Sequence, residues 1–415
     1  MTTQVSEESN RSLLRKTSRL VMPARVLSGL SAVVAASALA FFLLVMASTV
    51  SAQSTLITLH TFSGPSGDDG ANSYAPLVQD GAGNLYGTTA GGGAFHQGIV
   101  FRVDTSGNET VLYDFTGGTD GGDPHSGLLL DAAGNLYGIT GGGGIFPGQG
   151  VVFKLDPSGV ETVLHALTTT DGSGSASGLI IDPSGNFYGT AERGGAYDQG
   201  VVFKVDTLGN YSVVHSFGKR GVADGSEPYA GLVRDAAGNL YGTTFGGGKY
   251  GAGTVYKIDA SGNASVLYSF RGGSDGLFPS SSLVLDVAGN LYGTTDAGGA
   301  HNLGIVFKVS ASGKEKILHS FGSTNDGASP FVGLVKDESG NFYGVTDGGG
   351  AYHHGTVFRL DNTGNETVLY SFTGSGDGAR PEGALWRDAA GNLYGTTLDR
   401  GSGHDAGTVF ELTFP

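Results

Sequence analysis

A unit of roughly fifty residues occurs seven times between Thr55 and Pro415. Each copy contains the motif Asp-x-x-Gly-Asn-(Leu/Phe)-Tyr-Gly. The motif begins at Asp80, Asp131, Asp182, Asp235, Asp286, Asp337 and Asp388. Successive motifs are 51 residues apart, except for one spacing of 53. So regular a period indicates one supersecondary unit, repeated in tandem.

Each copy contains four short strand candidates separated by turn signals. In the sixth copy they are Gly333–Lys336, Asn341–Thr346, Thr356–Leu360 and Glu366–Phe372. Between the first two, Asp337 and Gly340 predict a tight hairpin, because Asp bonds its own turn and Gly accepts a left-handed backbone. The connections formed by residues 347–354 and 373–382 are longer and rich in glycine. We therefore predict tight hairpins at one end of each unit and long loops at the other.

A four-stranded meander with β-branched and aromatic residues on both faces needs neighbours on both faces. Radial stacking supplies them, so we predict an all-β fold, a seven-bladed β-propeller of four-stranded blades. The last copy stops after its third strand, Thr408–Thr413, whereas residues 55–62 form an extra fourth strand before the first copy. Pairing of these N- and C-terminal strands would close the ring and remove two exposed edges. A β-solenoid is the alternative fold.

The repeat resembles the exported bacterial tandem repeats called Gloeo/Verruco, or GloVer, repeats. Their signature is similar to (Leu/Val)-x-Asp-x-x-Gly-Asn-Leu-Tyr-Gly-Thr-Thr followed by Gly-Thr-Val-Phe-Lys-(Leu/Val). Asp235–Thr244 with Gly253–Ile258, and Asp388–Thr397 with Gly407–Leu412, carry it well. The resemblance covers all seven copies and implies export and propeller-like repeats. It implies no established activity, cofactor or catalytic residue.

Residues 1–52 have the order of a signal peptide, with basic residues before an uncharged apolar stretch at 26–50. The basic residues are Arg11, Arg15, Lys16, Arg19 and Arg25. Cleavage after Ala52 would leave residues 53–415 as the propeller, in the periplasm, at the cell surface or outside the cell. The alternative is an uncleaved segment that anchors the chain in the inner membrane, since the apolar stretch is long enough to span a bilayer.

Charge and cysteine content narrow the classes of partner. The formal net charge of −15 at pH 7 repels phosphate backbones, so no nucleic-acid partner is expected. The absence of cysteine excludes disulfides, thiolate catalysis and Cys-based zinc sites. No motif indicates a cofactor or a metal site, and the predicted partner is a surface glycan or a protein.

An aromatic residue recurs at one position of the glycine-rich loop between the second and third strands. These residues are Phe95, Phe146, Tyr197, Tyr250 and Tyr352. Exposed around a channel mouth, the rings would stack on the faces of sugars or other flat ligands. Buried, they would instead wedge adjacent blades together, and this second interpretation is the favoured one.

An Asp-Gly pair recurs in every loop between copies. The aspartates are Asp69, Asp120, Asp171, Asp224, Asp275, Asp326 and Asp377. We expect each to bond its own turn rather than to join a ring of cation ligands. His60, His165, His215 and His319 occupy a fourth-strand position that Tyr fills in the other copies, which predicts a structural role.

Residues that depart from the repeated pattern are candidates for a specific site. The fold requires the residues that all copies share, whereas a specific binding site requires residues that differ between copies. Glu192 and Arg193 replace loop glycines in the third copy, and Asp399 and Arg400 do so in the seventh. Arg380 and Glu382 add charge to the last loop between copies, and Trp386 is expected in the core. The alternative for the charged residues is a solvated rim.

Two functions of different classes follow. The favoured hypothesis is an exported, non-enzymatic binding or interaction scaffold for a glycan or cell-surface component, since no nucleophile or acid–base group is recognisable. Its candidate ligand-binding residues are Phe95, Phe146, Tyr197, Tyr250, Tyr352, Glu192, Arg193 and Arg400. The alternative is a carbohydrate-active hydrolase or lyase at the long-loop face, for which Glu192 and Glu382 are the first candidates.

Overall fold

The computed structural model describes residues 54–146, 148–174, 177–322, 325–399 and 406–414. Within these ranges the chain forms seven four-stranded antiparallel sheets and one short 3-10 helix, Gly273–Asp275. No helix in these ranges is long and apolar enough to cross a membrane. The predicted all-β, seven-bladed propeller is therefore confirmed. The predicted export segment, residues 1–52, lies outside the described residues.

Strands of equal rank in the seven blades have nearly equal lengths. The innermost are Val78–Gln79 (β2), Leu129–Leu130 (β6), Ile180–Ile181 (β10), Val233–Arg234 (β14), Val284–Leu285 (β18), Val335–Lys336 (β22) and Trp386–Arg387 (β26). The second are Leu85–Thr89 (β3), Leu136–Ile139 (β7), Phe187–Ala191 (β11), Leu240–Thr244 (β15), Leu291–Thr295 (β19), Phe342–Thr346 (β23) and Leu393–Thr397 (β27). The third are Ile99–Val103 (β4), Val151–Leu155 (β8), Val201–Val205 (β12), Thr254–Ile258 (β16), Ile305–Val309 (β20), Thr356–Leu360 (β24) and Thr408–Thr413 (β28). The outermost are Thr55–Thr61 (β1), Glu109–Asp114 (β5), Glu161–Ala166 (β9), Tyr211–Ser216 (β13), Ala264–Ser269 (β17), Glu315–Ser320 (β21) and Glu366–Ser371 (β25).

The seventh blade is assembled from both ends of the repeat region. Blades 1 to 6 each take four consecutive strands, from β2–β5 to β22–β25, whereas blade 7 has the order β26, β27, β28, β1. Thr55 pairs with Thr413 and Thr61 pairs with Thr408 in antiparallel register. The predicted closure by the N- and C-terminal strands is therefore confirmed.

The short hairpins follow the predicted turn chemistry. The backbone N–H of Asp80 donates to the carbonyl of Asn84 at 3.0 Å, and that of Gly83 donates to the carbonyl of Asp80 at 3.1 Å. The φ angle of Gly83 is +90°, a value that a side chain at this position would disfavour. Equivalent bonds occur in all seven copies, so one local motif sets the short end of every blade.

The core lies between blades and is built from aromatic rings. A buried ring of each third strand, such as Phe101, packs over the last glycine of the motif, which is Gly87 in the first copy. A Cβ on Gly87 would lie 2.6 Å from Cζ of Phe101. At six of the seven interfaces this ring meets the ring that follows the outermost strand of the preceding blade. The pairs are Phe62–Phe101, Phe115–Phe153, Phe217–Tyr256, Phe270–Phe307, Phe321–Phe358 and Phe372–Phe410, all edge to face with centroids 5.0–5.3 Å apart.

The innermost strands are shorter than the sequence predicts, two residues instead of four. In blade 6 only Val335 and Lys336 pair with the second strand. The carbonyl of Val332, just before this strand, accepts a hydrogen bond at 3.1 Å from the Thr294 hydroxyl of blade 5. Threonine hydroxyls at the same position bond the backbone entering the next innermost strand at five interfaces, which links those blades near the axis. In blades 2 and 6 the position holds Ile139 and Val345, which have no hydroxyl to donate.

The prediction that Trp386 lies in the core is wrong. Its side chain is 36% exposed, and the indole N–H donates to Oε1 of Gln79 in blade 1 at 3.4 Å. The physical reason is position: Trp386 begins an innermost strand, and Val78 and Leu129 at the same position are also only half-buried.

Candidate functional site

One cavity is lined by residues from all seven blades, which can meet only on the axis of the ring. It has a volume of about 90 Å³. The lining includes Tyr74, His125, Ser177, Tyr229, Ser280, Phe331 and Glu382, one from each blade in order. These residues follow the long loops between blades and precede the innermost strands, so the cavity belongs to the long-loop face.

Two further cavities adjoin the first through shared side chains. One, of about 250 Å³, is lined by Glu192, Glu227, Tyr229, Phe245 and Phe331. The other, of about 280 Å³, is lined by Asp296, Ser329, Phe331, Asp347, Arg380 and Glu382. Because Phe331 lines all three, we call them together the axial recess.

The recess is built on a backbone conformation that recurs in every described blade. The third residue after each Asp of the Asp-Gly pairs has a positive φ, although it is not glycine in six copies. These residues are Asn72, Asp123, Glu227, Phe278, Ser329 and Arg380, with φ between 53° and 61°. Side chains rarely adopt this region, and such strain concentrates at functional sites.

Hydrogen bonds to two blades hold that strained residue in place. The N–H of Glu227 donates to the carbonyl of Gln199 in the preceding blade, and its carbonyl accepts from the N–H of Phe245 in its own blade, both at 2.9 Å. The backbone conformation at this position is therefore the same in each described blade, whereas the side chain at this position differs from blade to blade.

One side of the recess is acidic around a single guanidinium group. Nε of Arg380 lies 2.9 Å from Oδ1 of Asp347, and its Nη2 lies 2.8 Å from Oε1 of Glu382. Its Nη1 is 3.7 Å from Oδ2 of Asp399. Burial, reinforced by Asp347, raises the pKa of Glu382 to about 8 although Arg380 opposes the shift. Burial also raises the pKa of Asp296. The carboxyl groups here outnumber the positive charge.

The other side of the recess is aromatic. The rings of Phe245 and Phe278 stack with centroids 4.4 Å apart, and those of Tyr229 and Phe331 meet edge to face at 5.7 Å. Beside the acidic group, the ring of Tyr74 lies 4.8 Å from that of His125, and Glu382 and Arg380 act electrostatically on Tyr74. Burial, with a smaller contribution from Glu192 and Glu382, raises the pKa of Tyr229 to about 12.

The five loop aromatics lie apart from the recess. Their exposed fractions are 54% for Phe95, 47% for Phe146, 43% for Tyr197, 48% for Tyr250 and 56% for Tyr352. The interpretation that they wedge adjacent blades together is therefore wrong, because the rings described above already fill those interfaces. None of the five lines the axial recess. Their role in binding stays a prediction.

The charged candidates divide between the recess and its surroundings. Glu192 lines the aromatic side, where burial raises its pKa. Arg193 has a side chain 72% exposed, with Nε 3.8 Å from Oε1 of Glu192. Arg400 lies outside the described residues. Glu192 and Glu382, the candidate pair for hydrolysis, line different cavities of the recess and both act electrostatically on Tyr229.

The loop aspartates behave as turn residues. In blade 6, for example, Oδ2 of Asp377 accepts the N–H of Thr373 at 2.7 Å and the hydroxyl of Tyr370 at 2.8 Å. Where His replaces Tyr, its Nε2 faces the carboxylate; the distance is 3.0 Å between His165 and Asp171. These residues therefore have the expected structural role.

One group of side chains has the geometry of a metal site. Ligand atoms of His319, Asp326 and Glu366 lie within 4.8 Å of one another. The group sits between blades 5 and 6, away from the axial recess. The prediction that the chain has no metal site stays a prediction.

The sequence analysis missed Tyr74, His125, Tyr229 and Phe331. A signal was available, because all four stand five residues after the Asp of an Asp-Gly pair, in register with Glu382. At this position the copies carry residues of unrelated chemistry on a repeated backbone. Reading the repeats in register at this position would have found the recess.

The fold and the recess define this chain as a repeat-built β-propeller with an asymmetric mouth. The family model described as the Gloeobacter/Verrucomicrobia repeat matches residues 45–233 and 219–410. The chain therefore belongs to this repeat family. No curated protein matches it.

Solved structures with TM-scores above 0.5 share this fold but are only remotely similar in sequence. The extracellular domain of a protein described as a one-component system from B. thetaiotaomicron is 12% identical, with a TM-score of 0.55 over 85% of this chain and 40% of that one. A second structure, described as the extracellular domain of a hybrid two-component system from B. thetaiotaomicron, gives 12% identity and a TM-score of 0.56 over 84% and 39%. This chain thus spans about two fifths of the length of these neighbours. PorZ, a surface component of the type-IX secretion system of Porphyromonas gingivalis, is 14% identical with a TM-score of 0.48 over 81% and 46%.

Proposed function

We propose that this chain is an exported, non-enzymatic binding protein that holds a glycan or another cell-surface component on its long-loop face. The axial recess carries this proposal. Seven repeats place equivalent backbone around one axis, yet the side chains that meet there are of several kinds: Tyr74, His125, Ser177, Tyr229, Ser280, Phe331 and Glu382. Half-buried rings beside carboxyl groups are suited to the faces and hydroxyl groups of sugars.

The export part of the proposal is supported by the order of charged and apolar residues in 1–52, by the family resemblance and by the extracellular solved neighbours. In this proposal the mature chain begins at Gln53. The mass of the protein recovered from a bacterial host tests it, because a retained segment would add the mass of residues 1–52.

A thermal-shift screen of the propeller against bacterial and plant glycans tests the binding role. A ligand at 100 times its dissociation constant stabilises a protein by about 2.7 kcal/mol, which is readily measured. We expect Tyr229→Ala to abolish the shift given by a glycan that binds. The matched control is Leu208→Ala, because Leu208 is 84% exposed in a hairpin at the opposite end of its blade.

The loop aromatics are tested separately by replacing Tyr197, Tyr250 and Tyr352 together with Ala. Substitution of exposed side chains changes stability by no more than about 0.5 kcal/mol each, so lost binding would report contact with the ligand. Unchanged binding would confine the ligand to the recess. The proposal fails if no glycan or surface component binds, and release of cleaved sugars would favour the hydrolase alternative with Glu192 and Glu382.

A further inference from the structure

The axial recess combines two features that together recognise one chemical group. We infer that the part of the ligand that enters the recess is an organic ammonium group, held between aromatic faces and carboxylates. This inference rests on the proposed function, because it names the group bound at the same site.

The aromatic contribution comes from three blades that are distant in sequence. Tyr74, Tyr229 and Phe331 line the same cavity. The ring planes of Tyr229 and Phe331 are inclined at 69° with centroids 5.7 Å apart, so the two side chains form a corner rather than a flat platform. A cation over ring faces gains about 0.5–2 kcal/mol, and more as water is excluded. A corner of this kind suits the rounded shape of a substituted ammonium group.

The carboxyl groups supply the second half of the recognition. Glu382 lines the same cavity as the three rings, and its side chain is only 12% exposed. The guanidinium of Arg380 is shared among Glu382, Asp347 and Asp399, which leaves this side net negative when the carboxyl groups are ionised. Burying carboxylates without an equal positive charge is unfavourable, and a bound cation would relieve that cost.

The remaining charged groups point the same way. Glu192 and Glu227 line the aromatic side, and Asp296 lines the acidic side. An anionic ligand would be repelled by these carboxylates, and a neutral one would leave the charges of Glu227 and Asp296 in place, while Glu192 has Arg193 at 3.8 Å. A cationic ligand is attracted from outside the recess and stabilised inside it.

Titration of Glu382 gives the inference a distinctive pH dependence. Burial raises its pKa to about 8; Asp347 and Asp399 act in the same direction, and Arg380 opposes them. Tyr74 and Tyr229, whose own pKa values are raised by burial, stay neutral, and His125 is paired with Asp123 at 2.7 Å. Because a quaternary ammonium group keeps its charge at every pH, its affinity should rise between pH 7 and 9 as Glu382 ionises.

Isothermal titration calorimetry with choline and with 3,3-dimethyl-1-butanol tests the inference. The alcohol has the shape of choline, with carbon in place of the charged nitrogen. We expect choline to bind about tenfold more tightly than the alcohol, and its affinity to be higher at pH 9 than at pH 7. At pH 9 Glu382→Gln should lower choline affinity about tenfold, whereas at pH 7 it should change it little, so that the pH dependence is removed. Phe331→Leu, which keeps apolar volume but removes a ring face, should lower the affinity at both pH values.

Glu338→Gln is the matched control, because Glu338 lies in the short hairpin after β22 with a side chain 89% exposed, and it should leave choline affinity unchanged. Thermal unfolding of each variant shows whether it is folded. Equal binding of choline and the alcohol would overturn the inference, since apolar contact alone would then suffice. If a glycan stabilises the protein but choline does not bind, the inference fails while the proposed function stands. If neither binds, both fail.

Discussion

At the scale of single residues, one carboxylate organises each short hairpin. Oδ1 of Asp131 accepts the backbone N–H groups of Ala133 and Asn135 at 2.9 and 2.8 Å. Oδ2 accepts the Asn135 amide at 2.8 Å and the Tyr137 hydroxyl at 3.0 Å. Burial opposes ionisation of Asp131, but these hydrogen bonds outweigh it and hold its pKa below the usual value. The Asp, Asn and Tyr of the motif therefore occur together because they form one hydrogen-bonded unit.

Replacing Asp131 should destabilise the propeller more at neutral pH than in acid. We expect Asp131→Ala to lower the free energy of unfolding by about 1–3 kcal/mol at pH 7, because several donors lose their acceptor. Since the folded-state pKa is lowered, this stabilisation is present above pH 3.8 and disappears as the pH falls through the folded-state value. Urea unfolding at pH 7 and at pH 3 measures the difference. Ala133→Ser, which reproduces the residue of other copies, is the control; an equal loss at both pH values would contradict the argument.

At the scale of strands and blades, the interfaces depend on paired rings with one exception. Between blades 2 and 3 the residue after the outermost strand is Leu167, not Phe. There Phe203 stacks on Tyr211 with centroids 5.3 Å apart, and Tyr211 stacks on His165 at 4.4 Å. A ring from the outermost strand of blade 3 thus replaces the missing phenyl group, which shows that the interface requires volume more than one residue type.

Truncation of a paired ring should be costly, whereas leucine should be tolerated. Phe321 is fully buried against Phe358, so Phe321→Ala should lower the free energy of unfolding by about 3–5 kcal/mol. Phe321→Leu keeps most of the volume and reproduces Leu167, so it should cost about 1.5 kcal/mol or less. Equilibrium unfolding in urea compares the two. Similar losses for Ala and Leu would mean that ring geometry, rather than filled volume, holds the blades together.

At the scale of the whole molecule, buried carboxyl groups recur between blades. Glu109, Glu161, Glu315 and Glu366 each begin an outermost strand beside the loop aspartate of the preceding interface. Among the described residues, one buried oxygen of each has no hydrogen-bond partner. Burial, with a smaller contribution from the neighbouring aspartate, raises the pKa of each to about 7. The ring therefore carries four acids that are poorly accommodated when ionised.

These acids should make the propeller more stable at mildly acidic pH than at alkaline pH. The pKa of a glutamate is ordinarily 4.5, and that of these four is about 7 in the folded state. Between pH 4.5 and about 7 the folded state therefore binds more protons than the unfolded state, so stability falls as the pH rises through that range. Burial lowers the pKa of His60, so this group makes the stability rise with pH in the range below 6.5. It is, however, one group against four acids. Scanning calorimetry between pH 5 and 8 measures the trend.

Replacing the four glutamates with Gln should reduce this slope, with Glu382 accounting for a further part of it, whereas the exposed Glu338→Gln should leave it unchanged. A chain more stable at pH 8 than at pH 5 would contradict the assignment. Such a result would also suggest that a cation compensates these groups, with His319, Asp326 and Glu366 as the first place to look.

Local chemistry explains why the sequence alone determined so much of this fold. The bond between Asp80 and Gly83, the alternation within a strand and the period of the copies all act over a few residues, so they can be read along the chain. Closure through Thr55 and Thr413 was also predictable, because an incomplete last copy needs the extra first strand. The length of the innermost strands was not predictable from the sequence, because it depends on contacts between blades, such as the bond from Thr294 of one blade to the backbone entering the next.

The candidate site was decided by tertiary structure. Tyr74, Tyr229, Phe331 and Glu382 are separated by at least one full copy, and each taken alone resembles an ordinary loop residue. They form a recess only because seven blades close around one axis and bring equivalent positions together. The loop aromatics showed the converse, since a repeated ring such as Tyr352 suggested packing but stands exposed. Burial depends on neighbours supplied by other blades, and no single copy contains that information.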